Sequence, residues 1–145
     1  MPGVAGIVDN MANPEHVALL REDVDEWNGW RSLNHDLPPD LSGADFRSAS
    51  LVMADLTHTI LRGANLSLAD LTGADLRWSD LRGANLVGAR LIGTDFDGAD
   101  LRGTDLRTAE DLTAEQLAET MGDEKTILPD ETLRPLRWTS EMGAR

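Results

Sequence analysis

Residues 61–90 read LRGANLSLADLTGADLRWSDLRGANLVGAR, with a leucine at every fifth place. Followed outward in both directions, the register runs without a skip through Leu41, Phe46, Leu51, Leu56, Leu61, Leu66, Leu71, Leu76, Leu81, Leu86, Leu91, Phe96, Leu101 and Leu106. A helix repeats every 3.6 residues and a strand every two, so neither produces this period. Two places before each large residue stands a small one, usually alanine and otherwise Thr59, Ser79, Thr94, Thr104 or Pro39. Asp or Asn usually fills the place between them. The unit is therefore A-(D/N)-L-x-x, a short internal repeat of the kind that stacks into a solenoid with a shared core.

This motif resembles the pentapeptide repeat family over about half of the chain. The resemblance implies a mainly β fold, a right-handed quadrilateral β-helix with four pentapeptides to a coil. The coils would then be 39–58, 59–78 and 79–98, with a half-coil at 99–108, about 3.5 coils in all. It also implies that the large and the small residue point inward and that the other three places face solvent. Glycines recur at the fifth place (Gly43, Gly63, Gly73, Gly83, Gly88, Gly93, Gly98, Gly103), which assigns them to corners rather than to a nucleotide-binding loop.

A solenoid end left bare would show unpaired backbone groups and a square of leucines, so both flanks are expected to cover an end. Asn13 is a suitable N-cap with Pro14 following, and Val17, Leu20, Val24, Trp27 and Trp30 recur at spacings of three and four. One amphipathic helix is predicted from about Pro14 to Ser32, with its linker reaching residue 38. On the other side, Thr113-Ala114-Glu115-Gln116 has the form of a capping box, Leu112 is placed to staple to Leu117, and Gly122 stops the short helix that follows. Trp138 is the expected anchor of a tail spanning 109–138. Residues 1–13 and 139–145 are expected to be flexible.

The formal net charge is −13, unevenly placed. Residues 1–38 carry seven acids against two bases, residues 39–108 ten against seven, and residues 109–145 nine against four. The repeat region is thus the nearest to balance. Cysteine is absent, which excludes thiolate catalysis and thiolate metal sites. His16, His35 and His58 have no metal-binding spacing. No segment has the apolar length of a membrane span, and the first residues lack the basic region of a secretory signal, so a cytoplasmic protein with no membrane contact is expected.

Residues twenty apart stack, so outward places read as columns. Arg62, Arg82 and Arg102 form an arginine column beside Asp40, Asp80 and Asp100, suited either to an anionic ligand or to mutual pairing. Asp55, Asp75 and Asp95, with Asp97 nearby, form an acidic face. Val52, Met53, Leu68, Val87 and Ile92 put apolar side chains at outward places, and Arg90 stands among them where Asp or Asn is usual; this set is a candidate protein-binding strip or a dock for a terminal segment. Ile60 makes a similar departure on another face. His58 and Trp78 share a corner column, where an aromatic either packs against a cap or binds a ligand.

No nucleophile with a base, phosphate loop or metal constellation is present, so no catalytic, cofactor-binding or metal-ligating residue is assigned and an enzyme is not expected. The reading is a non-catalytic protein-interaction module or scaffold whose partner is a protein of unknown identity, without direct nucleic-acid binding and monomeric rather than dimeric. The resemblance supplies an alternative, a DNA mimic that binds DNA gyrase or topoisomerase and protects it from inhibitors. Against it stand the near-balanced repeats, since a duplex mimic needs charge at phosphate density along the rod.

Overall fold

The computed structural model describes residues 12–138. Within them the repeats form a solenoid rather than a set of long strands. Each pentapeptide contributes a single β-bridge residue, and parallel bridges join residues twenty apart in four columns, among them Asp45↔Asn65↔Asn85↔Asp105 and Asp55↔Asp75↔Asp95. Four bridges per twenty residues give the coil its four sides. All fourteen large residues are at most 1 % exposed, so the five-residue period is the period of the core.

The repeat consensus follows from its hydrogen bonds. The amide of every large residue except Phe96 donates to a carbonyl in the next layer, as Leu66 N does to Asn85 O at 2.7 Å, and the Asp or Asn amide donates back to the coil below, as Asn85 N does to Ala64 O at 2.9 Å. The amide of the small residue closes a turn on the preceding leucine carbonyl. The Asp or Asn side chain accepts from the amide two places on in eleven repeats, for example Ser67 N to Asn65 Oδ1 at 3.0 Å and Val87 N to Asn85 Oδ1 at 2.9 Å. That Asx turn fixes the corner and explains why this place prefers those two residues. Where threonine or serine replaces the inward alanine, its hydroxyl finds a carbonyl: Thr94 Oγ1 donates to Leu71 O and Thr104 Oγ1 to Leu81 O, both at 2.7 Å.

The N-terminal cover differs from the single helix predicted. It consists of α1 (Pro14–Glu22) and α2 (Val24–Leu33). Between them Asp23 adopts an extended conformation, ends α1 with its own amide and caps α2 by accepting from Glu26 N at 3.0 Å. The break lets the buried residues Leu20 of α1 and Trp27 and Arg31 of α2 all face the first coil. Residues 12 and 13 belong to this cover: Asn13 N donates to Asp40 O at 3.1 Å and Asn13 Oδ1 caps α1. The expectations for residues 1–11 and 139–145 lie outside the described residues.

The C-terminal cover also departs from expectation. The capping box forms, with Thr113 N to Gln116 Oε1 at 2.8 Å and Gln116 N to Thr113 Oγ1 at 3.2 Å. No α-helix follows it; residues 114–119 make successive turns, closed by Leu117 N to Ala114 O, Ala118 N to Glu115 O and Thr120 N to Leu117 O. Nor does the ladder stop at residue 108. Glu110 bridges to Arg90, Met121 to Asp100 and Ile127 to Asp105, so the chain leaves the coil for residues 111–118 and rejoins it one layer up. Two 3₁₀ turns, Glu131–Leu133 and Leu136–Trp138, then bring Trp138 to a buried site against Gly122, where any Cβ would meet the indole ring.

Candidate protein-interaction surfaces

Every fifth place in the repeats has a positive φ, whether or not it holds glycine. Beside the eight glycines stand Ser48, Met53, His58, Leu68, Trp78 and Thr108, with φ between 55 and 63°. An L-residue in this region is disfavoured by about 1–2 kcal/mol relative to the ordinary helical region, a penalty glycine escapes. The side chains of three of them lie over the glycine of the next coil: Met53 over Gly73, Leu68 over Gly88 and Trp78 over Gly98, each filling the space where a Cβ would sit. Met53, Leu68 and Trp78 nevertheless remain more than half exposed.

The arginine column is internally paired. Arg82 and Arg102 each grip the aspartate two places earlier, with Arg82 Nη2 to Asp80 at 2.8 Å and Arg102 Nη2 to Asp100 at 2.6 Å. Arg62 has Ile60 at that place and reaches to the next coil instead, Nε to Asp80 at 2.7 Å. Burial pushes the Asp80 carboxyl up, and the Arg82 and Arg62 contacts outweigh it, so that the net displacement is downward. Arg107 holds Asp105 in the same way, and its hydrogen bond lowers that carboxyl too. Arg90 lies between Asp70 and Glu110 of the flanking coils at 4.0 and 3.8 Å, so the arginine that departs from the motif links three layers.

The acidic residues Asp55, Asp75 and Asp95 share one bridge column, yet each meets different company. Asp55 lies under α2: its amide donates to Asn28 Oδ1 at 2.8 Å, its carbonyl accepts from Trp27 Nε1 at 2.7 Å, and its carboxylate accepts from Thr57. Asp75 is clamped by Arg77, with Nε and Nη2 at 2.9 and 2.7 Å, and Asp95 lies 3.8 Å from the same guanidinium. Asp95 and Asp97 border an open recess of about 820 Å³ between the third coil and residues 111–116. Among the described residues no three histidine or acidic side chains are grouped to hold a metal ion.

The apolar strip divides in three. Val87 adjoins Gly88, on which Leu68 rests. Val52 and Met53 lie lower down, beside α2, where Asn28 Nδ2 donates to Met53 O at 3.0 Å. Ile92 stands at the edge of the recess, separated from Val52 in its column by Thr72, whose hydroxyl turns to Asp70. The His58 and Trp78 rings are nearly parallel, 14° between planes and 6.4 Å between centroids, and share one corner. The sequence reading missed Arg31, a fully buried guanidinium that donates to Asn34 O, Leu37 O and Thr57 O. Its signal was its place four residues after Trp27, on the buried face of α2.

These observations define a repeat solenoid, closed at both ends, that displays side chains from four sides. Eight copies of the pentapeptide repeat match residues 40–77 and 69–109, and over these residues the chain belongs to the pentapeptide repeat family. A pentapeptide repeat protein from the cyanobacterium Cyanothece 51142 is 34 % identical over 63 % of this chain and 65 % of its own, with a TM-score of 0.39. One from Nostoc Pcc 7120 is 27 % identical over 68 % of this chain and 81 % of its own, with a TM-score of 0.48. QnrB1, a plasmid-mediated fluoroquinolone resistance protein, is 23 % identical over 62 % of this chain and 55 % of its own, with a TM-score of 0.31. No curated protein matches the chain at a comparable level.

Proposed function

We propose that this chain is a non-catalytic protein-interaction module, a cytoplasmic monomer built on a right-handed quadrilateral β-helix whose sides present side chains to a protein partner. The observation that carries the reading is the set of exposed apolar side chains at positive φ. Met53, Leu68 and Trp78 occupy places where eight other repeats use glycine, and they remain open to solvent. An isolated solenoid gains little from exposed apolar groups in a disfavoured backbone region, whereas a partner that covers them supplies the compensation. Most outward charges of the repeats, by contrast, are spent on pairing within the solenoid.

Replacing Val52, Met53 and Ile92 together by serine tests this reading. The variant is expected to keep its thermal unfolding midpoint within a few degrees and to lose the partner that in-cell photo-crosslinking from residue 72, between Val52 and Ile92, captures with the otherwise wild-type chain. Unchanged crosslinking would overturn the assignment of these faces. The DNA-mimic alternative draws on the stacked Asp55, Asp75 and Asp95. It is weakened by Arg77, which clamps the middle of that column. Protection of gyrase supercoiling that disappears with Asp75→Asn, Asp95→Asn and Asp97→Asn would restore it.

A further inference from the structure

We infer that the corner formed by Trp78, Asp97 and Glu119 binds the guanidinium of an arginine side chain on a protein partner; the inference rests on the interaction-module reading and supplies its chemistry. Trp78 is 61 % exposed and has φ 62°, the bulkiest side chain held in that region among the described residues. Its indole lies over Gly98, where an added Cβ would stand 2.2 Å from the ring. His58 stands beside it one coil below, its ring nearly parallel to the indole at 6.4 Å between centroids. The indole thus rests against backbone at Gly98 while most of its surface stays open to solvent. A planar cation stacks on such a face within about 6 Å of the ring centroid.

The charge around the ring selects that cation. Asp97 and Glu119 border the same recess, about 480 Å³, with Met121 and Arg137 completing its wall. Glu119 is fixed at the height of the indole because its carbonyl accepts from Gly98 N at 2.7 Å. Neither carboxylate has an ion-pair partner among the described residues, unlike Asp75, Asp80, Asp100 and Asp105. Arg137, the basic group of the recess, donates to Leu117 O and Thr120 O at 2.9 and 2.6 Å. Two free carboxylates beside an open indole face suit a guanidinium, which stacks through its plane and donates in plane to carboxylate oxygens; an ammonium lacks the plane, and phosphate or nucleic acid is repelled.

The test uses the full chain with ¹⁵N-labelled tryptophan indoles and short acetylated peptides, Gly-Gly-Arg-Gly-Gly and its lysine and citrulline counterparts. The Trp78 indole resonance is expected to shift saturably with the arginine peptide, at least threefold more weakly with lysine and not with citrulline, while the buried Trp27 and Trp138 stay still. Asp97→Asn with Glu119→Gln should weaken arginine binding at least fivefold. Trp78→Gly, followed by titration calorimetry because the reporter indole is gone, should abolish binding without lowering the thermal midpoint, because glycine suits the backbone there. Equal response to citrulline, no Trp78 shift, or unchanged affinity in the Asp97/Glu119 variant would overturn the inference. So would a midpoint loss of more than about ten degrees in Trp78→Gly, which would make the indole part of the structure. A negative result here, with crosslinking still lost in the Val52, Met53 and Ile92 variant, would remove this site and leave the interaction-module reading in place.

Discussion

The two ends of the solenoid solve one problem by different means. At the lower end, the carbonyls and amides of the first coil have no coil beneath them, and side chains from α1 and α2 stand in: Arg21 donates to Asp45 O, Trp27 to Asp55 O, Arg31 to Thr57 O, and Asn28 accepts from Asp55 N. At the upper end the backbone itself goes on pairing. Met121 N donates to Ala99 O and Ile127 N to Thr104 O, both at 2.9 Å, and only the gaps are filled by side chains. Gln116 Nε2 donates to Leu91 O and Thr94 O, and Asp123 Oδ1 accepts from Gly103 N. A buried backbone polar group must be paired, whatever supplies the partner. The lower cover therefore depends on a few long side chains, and the upper one on the course of the chain.

This difference gives the largest expected effect. Trp27→Ala removes a fully buried indole and the donor to Asp55 O at once, and should destabilise the protein by about 3–5 kcal/mol. Equilibrium urea unfolding measures it. No single side-chain truncation in residues 113–128 should match it, and one that did would erase the contrast between the ends. Gln116→Ala is the most informative upper-end counterpart. It leaves Thr94 O without its donor in a half-buried setting, and about 1–3 kcal/mol is expected. Hydrogen exchange should show faster opening of the Thr94 and Gly98 amides in that variant, with the first coil unaffected.

The ends were also the least legible part of the sequence. The core needs only one residue type at one interval, so Leu41 to Leu106 could be read directly, and the family followed from it. The covers follow no period. Asp23 breaks the predicted helix, and its signal was a capping pattern within the helix itself, Asp23 with Glu26 three places on. The apolar spacing of Val24, Trp27 and Trp30 continued through that break and concealed it. Above, Thr126-Ile127-Leu128 repeats the order small, outward, large after an interruption, and Leu128 is buried as a repeat leucine would be. A search limited to unbroken fives passes over it. On the faces, the departures from the motif were visible, but their backbone strain was not. Glycine at eight of the fourteen fifth places was the clue that Met53, Leu68 and Trp78 would share its conformation.

Titration separates the lower cover from the solenoid. His16 packs 4.5 Å from Trp30, and burial lowers its pKa below the ordinary 6.5. Its neutral form is favoured in the folded state, so the unfolded chain binds the extra proton first. Stability should fall as the pH drops below about 6.5 and level off once the folded histidine is protonated too. The lowered carboxyls of Asp70, Asp80 and Asp105 act in a lower window. Thr72 hydrogen bonds lead at Asp70, and the Arg107 hydrogen bond leads at Asp105. Burial opposes the shift at Asp80 and the arginine contacts exceed it. Their contribution is complete above about pH 4 and is lost as the pH falls through the lowered values. Thermal midpoints from pH 8 to 2 should therefore fall in two steps. His16→Gln should remove the upper step alone; an upper step that survives would place its origin away from the lower cover.

The smallest effect expected lies between the two ends, where neither cover can mask it. Ile60 occupies a place where most repeats have Asp or Asn, so the amide of Arg62 lacks the side-chain acceptor that Ser42, Arg82 and Arg102 have at the same corner. Ile60→Asn would restore the Asx turn without setting a third negative charge between Asp40 and Asp80, its bridge neighbours. A gain of about 0.5–1.5 kcal/mol from the new hydrogen bond is offset in part by the half-buried isoleucine surface given up. The net expectation is stabilisation of under about 1 kcal/mol, with slower hydrogen exchange at the Arg62 amide and no change at Asn13 or Met121. A slower amide without a higher midpoint would mean that the corner is already held by the coils on either side. Exchange altered at Asn13 would mean instead that the body transmits strain to its covers, and the two ends would then have to be treated as one cooperative unit.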